Sequence, residues 1–300
     1  MEALVKLSFY CFTAATISLA LSALAYVGFA VARIRIRQTS LTTPQGQTFT
    51  ATTAEYGVGY EGLGRFGSLL LWFTVVFTAL AILLRGLAAD RVPISNMYEF
   101  SMAFVFTASL FYAAVERKYE VKHLGAIVVP IALGMAIYVW TLPARLREVD
   151  DLIPALQYNT LMTAHVSSAI LAYATFAVSF AAAVLFLINQ KRRVSWLPSP
   201  EMLDDIAYRS VTIGFPMLSL VLVLGSIWAY RAWGTYWSWD PKETSALFTW
   251  LVYAVYLHTR SLRGWRGQRS AIILLLGFAA TIFTYYGNYF FGGLHAYGGV

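Results

Sequence analysis

The chain has 300 residues, 59% of them apolar and 12% charged, with a formal net charge of +7 and a mean hydropathy of +0.62. Its charge density is about half that of a soluble domain, and a water-soluble protein of this size could not bury so much apolar surface, so the composition excludes a soluble globular fold and points to an integral membrane protein. Disorder is excluded by the same numbers, and a disulfide scaffold or C-x-x-C chemistry by the single cysteine, Cys11.

A helix that crosses a bilayer needs about 20 apolar residues. In chain order, eight runs meet or approach this: 5–32, 66–87, 97–115, 124–140, 161–189, 206–230, 243–259 and 270–291. The first contains Ala23-Leu24-Ala25, a cleavage-like pattern. It is read as an uncleaved span, because it is too long for a signal-peptide core and runs on past the pattern. The expected fold is all-α, a polytopic transmembrane bundle of about eight spanning helices. No loop is long enough for a separate soluble domain and there is no internal repeat, so residues 1–300 read as a single integral membrane domain.

The basic residues fix an expected orientation. One set of alternate loops carries 15 of the 22 Lys and Arg, among them Arg33, Arg65, Arg117, Lys122, Arg193 and Arg266. The other set carries seven: Lys6, Arg85, Arg91, Arg145, Arg147, Arg231 and Lys242. The positive-inside rule places the first set in the cytoplasm and both termini outside. The positive charge is then a topology signal and a contact with anionic membrane lipid rather than a nucleic-acid footprint, and no nucleic-acid partner is expected.

Gly57-Val58-Gly59-Tyr60-Glu61-Gly62 matches a dinucleotide-binding fingerprint in letters alone, without the strand and βαβ unit that the fingerprint needs. It reads as a flexible linker on the inner side.

Ionisable groups in a membrane protein are costly and tend to sit where function needs them. Of four histidines, His165 lies near the outer start of the fifth span and His295 just past the outer end of the eighth. Two imidazoles at one level on different helices are what axial ligation of an iron porphyrin needs; the competing reading is two interfacial histidines bonded to water or headgroups. His258, near the inner end of the seventh span, has no histidine partner at its depth, so it is a packing residue or pairs with another polypeptide. His123 belongs to an inner basic turn and reads as a surface residue.

The outer loop 228–243 holds four of the nine tryptophans. Asp240, Pro241 and Glu243 read as a capping box that starts the seventh span. Capping does not explain Trp233, Trp237 and Trp239 beside Gly234; a dense aromatic surface suits a large planar ligand. Arg231 and Lys242 flank it and can meet carboxylates. Planar ligand, carboxylates and two imidazoles together point to haem.

Trp233-Gly234-Thr235-Tyr236-Trp237-Ser238-Trp239-Asp240-Pro241-Lys242-Glu243 resembles the WWD signature of haem-handling membrane proteins. Its Pro-Lys-Glu ending resembles the CcsA/ResC-type component, CcsB in some bacteria, of the system II cytochrome c synthase. Arg91-Val92-Pro93-Ile94-Ser95-Asn96-Met97-Tyr98-Glu99-Phe100 resembles that family's second outer motif, and Tyr256-Leu257-His258-Thr259-Arg260 and Gly293-Leu294-His295 also fit. The likeness covers 85–300 as the WWD core; 1–84 is less family-specific. The resemblance implies export of haem b and its display on the outer WWD surface by His165 and His295. It implies that His258 pairs with a histidine of a ResB-like membrane subunit, and that haem is joined to the C-x-x-C-H thiols of apocytochrome c. The membrane would be the bacterial cytoplasmic membrane or the thylakoid, with the site on its outer face. No residue reads as a general base, so catalytic residues are unassigned and enzyme activity belongs to a complex. The chain has no cysteine pair, so the thiol reductant would be a separate protein.

Four other readings remain: haem delivery to a chaperone in the other maturation system, haem export without lyase activity, a b-type electron-carrying cytochrome, and a lipid or sugar transferase. The cytochrome would need histidine pairs at two depths. The transferase would use Glu148, Asp150 and Asp151, which read as a solvated loop.

Overall fold

The computed structural model describes residues 1–37, 41–42, 48–49, 58–149, 152, 156–157, 159–192, 196–262, 265–287 and 291–295. Among these are eight α-helices: α1 Glu2–Arg37, α2 Val58–Ala89, α3 Met97–Tyr119, α4 Gly125–Thr141, α5 Asn159–Arg192, α6 Pro200–Trp233, α7 Pro241–Arg260 and α8 Gln268–Tyr286. A two-residue antiparallel pair, Leu41–Thr42 with Thr48–Phe49, lies between α1 and α2. Each of the eight expected spans is a helix, and the chain is an integral membrane protein. Seven helices are long and apolar enough to cross a bilayer; α7 falls outside that set. Its 20 residues nevertheless give about 30 Å of helix, the thickness of the hydrocarbon core. It lies antiparallel along α8, with Thr249 bonded to Thr284 near one end and Tyr253 against Gly277 further down.

One expectation needs correcting. The pseudo-fingerprint is not a linker through its described part, because Val58, Gly59, Tyr60, Glu61 and Gly62 already belong to the first turns of α2. The described residues contain no βαβ unit for a glycine loop to join. Gly57 and the end of the eighth expected span, 288–290, lie outside the described residues.

Between helices in lipid there is little hydrophobic drive, so close approach and hydrogen bonds hold the bundle. On α1, the hydroxyls of Ser8, Ser18 and Ser22 donate to the carbonyls of Ala81, Leu70 and Gly67 on α2, at 2.7, 2.8 and 2.8 Å. These three bonds set the antiparallel register of the α1–α2 hairpin. Helix α5 is the central post, with 78% of its span buried. Its alanines Ala172, Ala174, Ala177, Ala181 and Ala182 are fully enclosed, which lets α3, α6 and α8 pack close around it.

Capping residues stop and start the helices where the site is built. Asn96 caps α3 there by accepting from Glu99 N at 2.9 Å, whereas Ser199 caps α6 at the opposite end of the bundle, with Pro200 at its first position. Gly234 ends α6 in the left-handed conformation (φ 78°), which glycine adopts without strain. The start of α3, the ends of α4, α6 and α8, and the starts of α5 and α7 therefore meet at one end of the bundle.

Candidate functional site

At that end a cavity of about 150 Å³ opens between α3, α5, α6, α7 and α8, and both His165 and His295 line it. His165 sits in the second turn of α5. Its Nδ1 lies 3.0 Å from the Val221 carbonyl of α6. A carbonyl only accepts, so Nδ1 carries the proton, and in the neutral ring Nε2 keeps its lone pair. A Cβ on Gly225 would lie 2.8 Å from His165 Cε1, so this glycine makes the room for the ring.

His295 is held by Asp240. Its Nδ1 lies 2.9 Å from Asp240 Oδ1, again an acceptor, so Nδ1 carries a proton and Nε2 is the ring nitrogen on the other side from the carboxylate. Asp240 does several jobs at once. Oδ1 also accepts from Lys242 N at 2.9 Å, which caps α7, and Oδ2 accepts from Leu294 N at 2.6 Å. The reciprocal capping bond is present, with Glu243 Oε2 accepting from Asp240 N at 3.2 Å. Gly293 permits the docking, because a Cβ there would run into the Asp240 carboxylate. Burial raises the Asp240 pKa, but the His295 hydrogen bond and the two backbone donors outweigh it and bring it down to about 2.

The two imidazoles are bridged by Trp228, which is fully buried. It stacks on His165 with ring centroids 6.4 Å apart and planes 15° from parallel, and its centroid is 5.6 Å from that of His295. Trp233 packs edge-on against both Trp228 and His295, at 4.7 and 4.9 Å. Trp237 lines the cavity, and its buried indole N–H has no hydrogen-bond partner among the described residues. Lys242 lines it too, half-buried. Trp239 stands outside, 69% exposed, perpendicular to Trp237 and held at φ 59°, a strained conformation for a non-glycine residue. The tryptophans thus form two edge-to-face pairs rather than the single flat surface that their density suggested.

The structure gathers His165, His295, Trp237 and Lys242 in one cavity, with Asp240 and Trp233 behind His295. Arg231 and Gly234 lie on the exposed side of the loop. His258 is at the opposite end, exposed on the α7 face that also shows Phe248, Leu251 and Val255. His123 is not a surface residue. It is buried between the rings of Phe29 and Trp196, at 5.1 and 5.3 Å, because the turn that carries it folds under α1.

The sequence reading includes Trp228 in the tryptophan loop and Gly293 beside His295 without giving either a role, and leaves out Gly225. The available signal was a glycine one turn before a tryptophan at the end of α6. It also read Arg85 and Arg91 as loop charges. Arg85 is buried and its Nε donates to Glu99 Oε1 at 2.7 Å, while Arg91 Nη1 meets Oε2 at 3.0 Å. Arg85 also donates to the carbonyls of Leu146, Arg147 and Glu148. This clamp positions Ile94, Asn96 and Phe100, which form the α3 wall of the cavity.

Fold and site together define a polytopic helical membrane protein that holds two oriented imidazoles in an aromatic cavity at one end. The profile of the family described as "Cytochrome C assembly protein" matches residues 94–295, and the chain belongs to that family. It is 40% identical over 228 residues to the cytochrome c biogenesis protein CcsA of Chlamydomonas reinhardtii, covering 73% of this chain and 64% of that protein. Identity is 34% over 263 residues to CcsA of Mesostigma viride, covering 78% and 86% of the two chains. It is 38% over 252 residues to CcsA of Prochlorococcus marinus MED4, covering 74% and 80%. Among solved structures, cytochrome c haem lyase CcmF shares the fold, with a TM-score of 0.64 at 18% identity over 93% of this chain and 46% of that one.

Proposed function

We propose that this protein is the haem-handling membrane subunit of a system II cytochrome c synthase. It holds haem b at the outer face for thioether attachment to the C-x-x-C-H motif of apocytochrome c. The observation that carries this reading is the pair His165 and His295, which line one cavity with each Nδ1 committed to an acceptor. A backbone carbonyl or carboxylate on the distal nitrogen is the arrangement that orients metal-binding histidines.

The residues present fit a porphyrin as substrate. The Nε2 atoms of His165 and His295 would ligate the iron. The unpartnered Trp237 indole N–H and the Lys242 ammonium supply donors for propionates, and Trp228, Trp233 and Trp239 supply aromatic surface. Arg231 stands exposed at the rim. Haem brings the vinyl groups, and a thiol adds across each, the sulfur bonding one vinyl carbon and the hydrogen ending on the other, with no net redox change. The protein's share is positioning: imidazoles hold the ring, and one of them is exchangeable for the histidine of the substrate motif.

His258, exposed on α7 at the far end, would pair with a histidine of a ResB-like subunit during export. The 15 basic residues at that end favour its facing the cytoplasm, so the site faces the periplasm or thylakoid lumen. Residues 1–300 then act as one membrane domain, with 85–300 as the haem-handling core and a separate protein reducing the thiols.

The test is the reduced-minus-oxidised spectrum of the chain purified with its ResB-like partner. Sharp six-coordinate b-type bands are expected, and His165→Ala and His295→Ala should each remove them and cut holocytochrome c at least tenfold. Absence of haem in the co-purified complex, or normal holocytochrome c from both variants, overturns the proposal.

A further inference from the structure

The opposite end of the bundle contains a second cavity, of about 560 Å³, between the α1–α2 hairpin and the end of α3. That is many times the 10–15 Å³ or so a single ordered water needs. From its walls we infer that it binds the headgroup of an anionic phospholipid; this inference stands apart from the haem reading.

The lining changes character along the helix axes. On α2, Leu71 and Trp72 stand at the apolar level, Ser68 one turn nearer the helix start, and Arg65 beyond it; on α3, Ala113 is followed by Glu116 and Arg117. Such a gradient matches a molecule with a charged head and an apolar body. The carboxylate within the wall is already committed: Glu116 accepts from Tyr26 Oη at 2.5 Å and from Ser68 Oγ. Two cations are not. Neither the Lys122 ammonium nor the Arg117 guanidinium makes an ion pair or hydrogen bond with the described residues. Lys122 is half-buried, and its stem lies over Gly64, whose Cβ would come within 3.1 Å of Lys122 Cδ. A glycine therefore leaves the channel through which this lysine reaches the cavity. Arg65 is offset by Glu61 at 3.7 Å, and Glu120 stands exposed on the rim, so the anion's place is beside Lys122 and Arg117.

A lipid, rather than a free phosphate, is favoured by what adjoins the cavity. Trp72 is 41% exposed and continues into Leu69, Phe73 and Val76 on the outward face of α2, a stripe along which acyl chains can run. This is also the end that carries most of the basic residues, where anionic lipid is drawn to a membrane protein.

Native mass spectrometry of the full chain, delipidated in detergent and titrated with dioleoylphosphatidylglycerol or dioleoylphosphatidylcholine, tests this. One phosphatidylglycerol should stay bound preferentially, and Lys122→Gln with Arg117→Gln should weaken it at least tenfold while the elution profile and helical circular dichroism stay unchanged. Trp72→Ala should weaken it several-fold. Equal retention of phosphatidylcholine, or undiminished phosphatidylglycerol in the double variant, overturns the inference. So does displacement of the lipid by millimolar inorganic phosphate or glycerol phosphate, which would assign the site to a free anion. If the double variant misfolds, retention in Lys122→Gln alone decides, since loss of one ammonium leaves the packing over Gly64 in place.

Discussion

Asp240 ties two segments 54 residues apart, and its Oδ2 bond to Leu294 can be removed apart from those of Oδ1. Asparagine is a good cap and keeps one acceptor, so Asp240→Asn should leave α7 intact. Its amide nitrogen cannot accept from Leu294 N, and the unmet donor costs about 1–3 kcal/mol locally. The expected result is faster hydrogen exchange over 291–295 with unchanged protection in α7, and haem affinity lowered about 10–100-fold through loss of His295 orientation. Asp240→Ala should also lose about 1 kcal/mol at the α7 cap. The depressed pKa gives the pH sign. Native Asp240 titrates at about 2 against 3.8 for the free side chain, so its stabilisation is complete above pH 4 and is lost as pH falls through 2. Fluorescence from Trp228 and Trp233 should report tail release in that window in the wild type and not in Asp240→Asn. Of these roles the sequence shows the cap plainly, from Asp-Pro-x-Glu. The link to His295 is invisible there, because it depends on the path of a tail after the last helix.

At the scale of elements, hydropathy reads depth well and rotation poorly. All eight helices are legible as apolar runs, and His165 and His295 are legible as sharing a level. Which way each helix turns is not. Arg85 and His123 look like loop charges in the sequence, yet the rotation of α2 and the turn before α4 put both inside. Trp228 passes for one more interfacial aromatic until α6 is docked against α5. Gly225 records that docking. Gly225→Ala should push His165 from its place, costing about 1–3 kcal/mol by overpacking and removing the six-coordinate haem signature. Gly277→Ala, whose Cβ would lie 2.9 Å from Tyr253 Cζ, serves as the control. It should lower thermal stability in detergent by a similar amount and leave the haem spectrum unchanged.

At the scale of the whole molecule, one buried ion-pair cluster ties α2, α3 and the 144–148 turn together. Arg85 of α2 and Glu99 of α3 are 1% and 0% exposed, and Arg85 also holds the 144–148 turn. Removing Arg85 leaves Glu99 Oε1 unmet in a buried site, with Arg91 alone to offset the carboxylate. Arg85→Met should therefore destabilise the bundle by about 3–5 kcal/mol, measurable as an early detergent-induced unfolding transition, and Glu99→Gln should partly restore it in the double variant. The sequence supplies every member of this cluster but not its closure, since Arg85 sits at the end of one helix and Glu99 on the next, with the 90–96 turn folding them together.

Helix α7 has a consequence for how the chain is made. It carries Thr249, Trp250, Tyr253 and Thr259 where other spans carry leucine and alanine, and it reaches the bilayer's polarity threshold only by turning those groups toward neighbours. Two of its partners, α5 and α6, are already synthesised when it emerges; α8 is not. An α7 on its own is a poor substrate for lateral release into lipid, so its insertion is expected to depend on α8. In a chain truncated before Gln268, α7 should stay extractable from the membrane by carbonate, while extension through Tyr286 makes it resistant. The cavity that holds His165 and His295 is thus expected to form only once α7 and α8 have entered the membrane as a pair and residues 293–295 have closed onto Asp240.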